Sequence, residues 1–109
     1  MQSGSSFLRK SGALQFKFTA VRRSDAHSVS SSVAIYDPKL IENSYGDFRA
    51  DIRFSGFLEQ QLTAFGAYAF QATDLAFDLA KIVLASHEDE WAFHFGGGGP
   101  VSFGGPVKG

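Results

Sequence analysis

The chain contains no cysteine. It therefore has no disulfide framework and no thiolate metal site, a composition compatible with a reducing compartment. Net charge is nearly absent as well: 10 Lys and Arg stand against 11 Asp and Glu, for a formal charge of −1. That balance gives no electrostatic reason to expect nucleic acid or an anionic membrane as a partner, and neither is expected. No apolar run approaches the ~18 residues of a membrane span, and the opening MQSGSSFLRKSG holds none of signal-peptide length. A cytoplasmic protein is the resulting expectation. What the sequence does have is 109 residues, enough for one domain, and 12 phenylalanines, so much of the core must be aromatic.

The longest stretch with a single period covers residues 66–87, GAYAFQATDLAFDLAKIVLASH, and the period is helical. At ~100° per residue, Ala72, Leu75, Ala76, Leu79, Ile82 and Val83 fall in one stripe, the face expected to lie on a core. A thinner apolar line, Phe70, Phe77 and Leu84, runs on nearly the opposite side, with Asp74, Asp78 and Lys81 between the two. A helix with two apolar sides needs two things to touch. One is a sheet. The other is either the C-terminal aromatics, Trp91, Phe93, Phe95 and Phe103, or a protein interface. No Ser, Thr, Asp or Asn stands just before the helix to cap it, and Gly66 is the most tolerable substitute.

Upstream the period is two. Leu14, Phe16, Phe18 and Ala20 alternate with Gln15, Lys17 and Thr19 as a half-buried strand. Val29, Val33 and Ile35 alternate with Ser30 and Ser32 in a second, which Ser31 interrupts, so an edge or bulged strand is expected. Asp37-Pro38 stops it. Phe48, Ala50, Ile52 and Phe54 alternate with Arg49, Asp51, Arg53 and Ser55, and after a bend at Gly56 a fourth strand runs through Leu58, Gln60, Leu62 and Ala64. The short stretch Trp91, Ala92, Phe93, His94, Phe95 alternates as a fifth. These spacings predict an α+β fold: an antiparallel meander of four to five strands with one long helix on one face. Residues 1–12 read as a flexible lead-in, 13–95 as the domain, and 96–109 as a tail. In that tail Gly98-Gly99-Pro100-Val101 recurs as Gly104-Gly105-Pro106-Val107, and its glycine run is expected to be mobile or tethered only through Phe95 and Phe103.

Residues 47–82 carry a pair of strands, then Gly66, then a helix opening on Gln71-Ala72 and continuing Leu75-Ala76. In this it resembles a family of small bacterial proteins of uncharacterised function. That family usually has an Asp-Ser pair where this chain has Tyr68-Ala69, and a leucine in place of Thr73. The resemblance implies the strand–strand–helix unit and no active site. By analogy of build, it also suggests the immunity proteins with which bacteria resist toxins of their own kind.

Chemistry is sparse. His87, Glu88, Asp89 and Glu90, with His94 beyond, form the densest polar cluster, but their spacing matches no zinc signature and a solvated turn is the expectation. As a contact patch, the three carboxylates Glu88, Asp89 and Glu90 suit the basic cleft of a nuclease toxin. Arg49, Asp51 and Arg53 share one strand face with Lys17, an ordinary solvent face or a polar docking surface. The serines sit in no nucleophile elbow, and no helix opens after the glycine run to cradle phosphate. No cofactor or catalytic residue is expected. The sequence thus predicts a non-enzymatic protein-binding module, in particular an immunity or inhibitor protein that neutralises a toxin by contact. Its partner-binding residues are Phe70, Phe77, Leu84, Glu88, Asp89, Glu90, Arg49 and Arg53. A homodimeric domain without a separate partner is the alternative, and a small enzyme the third.

Overall fold

The computed structural model describes residues 7–10, 12–42 and 46–104. Among these, β1 (Phe7–Lys10), β2 (Ala13–Arg22), β3 (Ser28–Tyr36), β4 (Lys39–Leu40), β5 (Phe48–Ser55) and β6 (Gln60–Gly66) precede the helix α1 (Ala69–Ser86), and β7 (Trp91–His94) and β8 (Pro100–Val101) follow it. Every pairing is antiparallel. The α+β architecture expected from the periods is the one the chain adopts. Its long strands β2, β3, β5 and β6 form the meander. Then α1 carries the chain back across one face, so that β7 joins the far side of β2 (Ala20↔Phe93, Arg22↔Trp91).

The sheet extends further than the meander at three places. β4 continues the β3 side of β5 beyond Asp37-Pro38, and β1 pairs the first half of β2 from Phe7↔Phe16 to Lys10↔Ala13, with Gly12 at φ +76° in the turn. Residues 7–10 of the expected lead-in are therefore strand, while residues 1–6 and 11 lie outside the described residues. The tail differs from expectation in the same direction. Pro100 and Val101 pair with His94 and Phe93, and the glycine run 96–99 is the loop of that hairpin. Two strands flanking the glycines supply the contacts that four glycines lack by themselves. The second copy of the repeat falls on residues 104–107, beyond Gly104 outside the described residues.

Ser31 does not mark an edge. β3 is central, between β2 and β5. Its hydroxyl is buried because the β5–β6 loop comes to it: Ser31 Oγ accepts the Phe57 N–H at 3.0 Å and donates to the Val29 carbonyl at 3.2 Å. A polar group so paired can interrupt an apolar face at little cost.

The core has two halves of different texture. Under the helix it is built from small residues: Ala72, Ala76 and Ala80 are buried against a sheet that offers Ala50, Ile52 and Ala64. Alanine at this seam lets the backbones approach closely, and at Gly66 an added Cβ would stand 2.6 Å from the Ala72 nitrogen. Gly66 is thus a close-approach residue and not the cap. The N-cap is Tyr68, with no side-chain cap bond; Gln71, at the third helical position, instead accepts the Ala67 N–H at 2.5 Å. The bond ties the residue before the N-cap to the first helical turn, so it fixes the chain's entry into the helix without capping it. Where the helix does not reach, aromatics fill the sheet face. Phe18 packs on Phe57, Phe93 and Phe95 with centroids 6.0, 5.6 and 4.8 Å away, and Phe57 leans on Trp91 at 5.5 Å.

The helix is rotated from the face its periodicity suggests. The buried line is Ala72, Ala76, Ala80 and Leu84. Leu79 and Val83 pack on its margin, whereas Leu75 and Ile82 are 42% and 62% exposed. A close alanine seam outweighs the bulky side chains on the adjacent flank, because Ala72, Ala76 and Ala80 let the helix backbone approach the sheet closely.

Candidate functional site

The rotation splits the second apolar line. Leu84 enters the core. Phe77 is half-buried, its ring edge-on to Phe16 of β2 with centroids 6.0 Å apart. Phe70 remains at the helix start, 71% exposed and stacked on Tyr68 at 5.6 Å. Leu84 is therefore not an exposed residue of the helix, and the expected three-residue stripe is not one surface.

Between the helix and the tail hairpin lies a cleft of about 310 Å³. Phe77, Ala80, Lys81 and Leu84 form its helical wall. Phe16, Val33 and Ile35 form its floor on the sheet, and Phe95, Val101 and Phe103 close its far side. The tail thus folds back toward the helix as one reading of the sequence anticipated, yet it walls the space instead of filling it. Every lining residue but Lys81 is apolar. Lys81 lies at 3.6 Å from the Asp78 carboxylate, both side chains well exposed, so a polar pair stands beside the apolar opening. An apolar concavity with few polar groups is the common form of a binding site.

The far wall is held by a carboxylate. Glu88 is buried, and its Oε2 accepts the Phe103 N–H at 2.5 Å. Its own carbonyl accepts from Arg23 Nε at 2.7 Å, and the Arg23 N–H donates to the Glu90 carbonyl at 2.8 Å. The expected acidic contact patch is corrected accordingly: Glu88 points inward as a structural clamp, and only Asp89 and Glu90 are exposed. Burial follows from the tail's need for an acceptor, since the Phe103 N–H has left the β7–β8 ladder. Glu88→Ala should therefore loosen the far wall, lowering stability by about 1–3 kcal/mol, the cost of a buried unsatisfied group. Glu88→Gln, which keeps an acceptor, should lose less. Chemical denaturation of the two variants checks the order, and equal losses would remove the clamp.

The histidines do not converge. His87 ends the helix with its ring edge-on to Phe57 at 5.5 Å. His94 faces the other side of the sheet, opposite Thr19. Among the described residues, no group of three His, Cys, Asp or Glu side chains could hold a metal ion. Nearby, Arg22 lies over Trp91, 5.7 Å from the ring centroid, and forks onto Asp25 at 3.0 and 3.1 Å. The hydrogen bonds from Arg22 and then from the His27 N–H hold the Asp25 carboxyl down at about 2.

The expected grouping of Arg49, Asp51, Arg53 and Lys17 on one face does occur, on the sheet side away from the helix, as the register Arg53↔Ala34, Ala34↔Gln15 and Lys17↔Ser32 requires. Arg49 Nη2 donates to Asp51 Oδ2 at 2.9 Å, and Thr63 donates to Asp51 Oδ1 at 2.8 Å. Burial pushes the Asp51 carboxyl up, but the hydrogen bonds from Arg49 and Thr63, with the charges of Arg49 and Lys39, outweigh it and leave the carboxyl below its ordinary range. Arg49 and Arg53 thus face away from Phe77, and the two sets cannot serve one compact site.

Fold and cleft together define a small α+β protein with an open apolar groove between its helix and a C-terminal hairpin, and no described helix is long and apolar enough to cross a membrane. No family model matches the chain, and neither a curated protein nor a solved structure does. The functional reading accordingly rests on its own residues. Of these, sequence reasoning singled out Phe77 and Leu84 but not Phe16, Val33 and Ile35. The inward faces of β2 and β3 were legible; that the helix leaves them partly uncovered was not.

Proposed function

We propose that the protein is a non-enzymatic protein-binding module whose cleft receives apolar side chains of a partner. The observation that carries this reading is the cleft itself: nine apolar residues around an accessible hollow, three of them contributed by the segment after the helix. Apolar anchors seated in such pockets dominate protein interfaces. The particular form suggested by the bacterial resemblance is an immunity or inhibitor protein that blocks a toxin by contact. In that form the acidic contribution comes from Asp89 and Glu90 alone.

The test is to fill the cleft. Val101 is 40% exposed on its wall, so Val101→Trp places an indole in the hollow without entering the core. The variant should keep or raise its unfolding midpoint. Tagged protein recovered from the native host should then lose a companion that the wild type retains. Recovery of the same companion by both would dismiss the cleft as the binding site.

A further inference from the structure

The outermost strand of the meander has an uncommon property. β6 pairs with β5 along its length, Phe48↔Gly66 to Phe54↔Gln60, and among the described residues no strand pairs its other edge. Alternate residues there point N–H and C=O away from β5. Exposed edges of this kind are ordinarily blunted by shortness, proline or lysine. The other margins of this sheet are: β8 is two residues long and begins with Pro100, β4 is two residues long, follows Pro38 and contains Lys39, and β1 carries Arg9 and Lys10. β6 has seven residues, Gln-Gln-Leu-Thr-Ala-Phe-Gly, with no charge and no proline.

Apolar side chains flank this edge in both layers. On the open face of the sheet Phe65 is 60% exposed. In the helix layer, Phe77 looks across the cleft to Phe16 of β2, so the opposite flank of α1 looks away from β2 and out over β6. Leu75 stands on that flank and is 42% exposed.

We infer that β6 is a self-association edge, at which a second copy of this chain adds its own β6 antiparallel about a twofold axis and continues the sheet. Antiparallel pairing of a strand with its symmetry mate closes on itself and needs no separate complementary sequence. A neutral strand brings no like charges together in doing so. The twofold places the Phe65 and Leu75 flanks of both copies along the same seam, and apolar contact in two layers supports the ladder between them. This surface lies on the far side of the helix from the cleft, and the inference stands on its own observations.

Size-exclusion chromatography with light scattering tests it. The wild type should have twice the 11.8 kDa mass of the chain. The double variant Phe65→Lys with Leu75→Lys should run at half the wild-type mass with an unchanged circular dichroism spectrum. Val101→Trp should remain a dimer, which separates this edge from the cleft. As a measurement independent of whether the double variant folds, alternate amides of β6 in the wild type should exchange slowly when concentrated and at least tenfold faster on dilution. A monomeric wild type, a dimer that survives both lysines, or β6 amides whose exchange ignores concentration would each overturn the inference.

Discussion

Ala76→Asp is expected to leave no folded protein. Ala76 has no exposed surface and lies in the middle of the seam where α1 meets the sheet, between Ala72 and Ala80 and above Ala50 and Ala64. A carboxylate there would lose its water and meet only apolar neighbours, at a cost of several kcal/mol. Domain stabilities total about 5–15 kcal/mol, and among the described residues α1 is the helix that covers that part of the core. The same change two places around the helix should behave differently. Leu79→Asp, on the half-buried margin, should lower the midpoint but leave protein that folds, and Leu75→Asp should be tolerated. Circular dichroism melting of the three variants reads the rotation of the helix directly. If Leu79→Asp unfolded the chain while Ala76→Asp did not, the large-residue stripe would be the core face after all.

The second large effect is expected at the β5–β6 loop. Gly56 has φ +105°, a conformation L side chains rarely adopt, and a Cβ built there stands 2.4 Å from Ser31 Oγ and 2.5 Å from the Ser30 carbonyl oxygen. Gly56→Ala therefore combines backbone strain of about 1–3 kcal/mol with overpacking of similar size. The side chain of Ser31 can rotate, but the Ser30 carbonyl belongs to a central strand and cannot. Displacing the loop would also break the bond from the Phe57 N–H to Ser31 and lift Phe57 from the aromatic cluster. A loss of at least about 3 kcal/mol is expected, seen as a fall in midpoint of at least ~12 °C. Gly97→Ala is the control, since nothing lies within 4 Å of its would-be Cβ and its backbone is unstrained. Equal behaviour of the two variants would mean that the loop does not dock on β3.

These two sites also show what was legible in the sequence. Strand alternation is local, and β5 runs from Phe48 to Ser55 as its pattern indicates. The helix was equally legible in extent, but not in rotation, because periodicity weights Leu75 and Ile82 by size whereas close packing favours Ala72, Ala76 and Ala80. Gly56 reads as a bend from sequence; that it clears a space for Ser31 depends on a contact across 26 positions of chain. The inward turn of Glu88 depends likewise on where the tail arrives. The cleft is a shortfall in coverage, fixed by helix angle and tail path together, and no local signal encodes it. Phe77 is legible as the middle of a second apolar line, and Phe95 and Phe103 as aromatics that are candidates to cover it; that they wall a hollow beside it instead of filling it is not.

The central claim, that the cleft and not the open face of the sheet meets a partner, is tested most directly by photo-crosslinking. A benzophenone amino acid at Val101 reports from the cleft wall, and one at Arg53 reports from the opposite face. Irradiation in the native host should give one discrete adduct from position 101, heavier than any dimer of the chain, and none of that mass from position 53. The same adduct from position 53, or no heterologous adduct from position 101, would contradict the account.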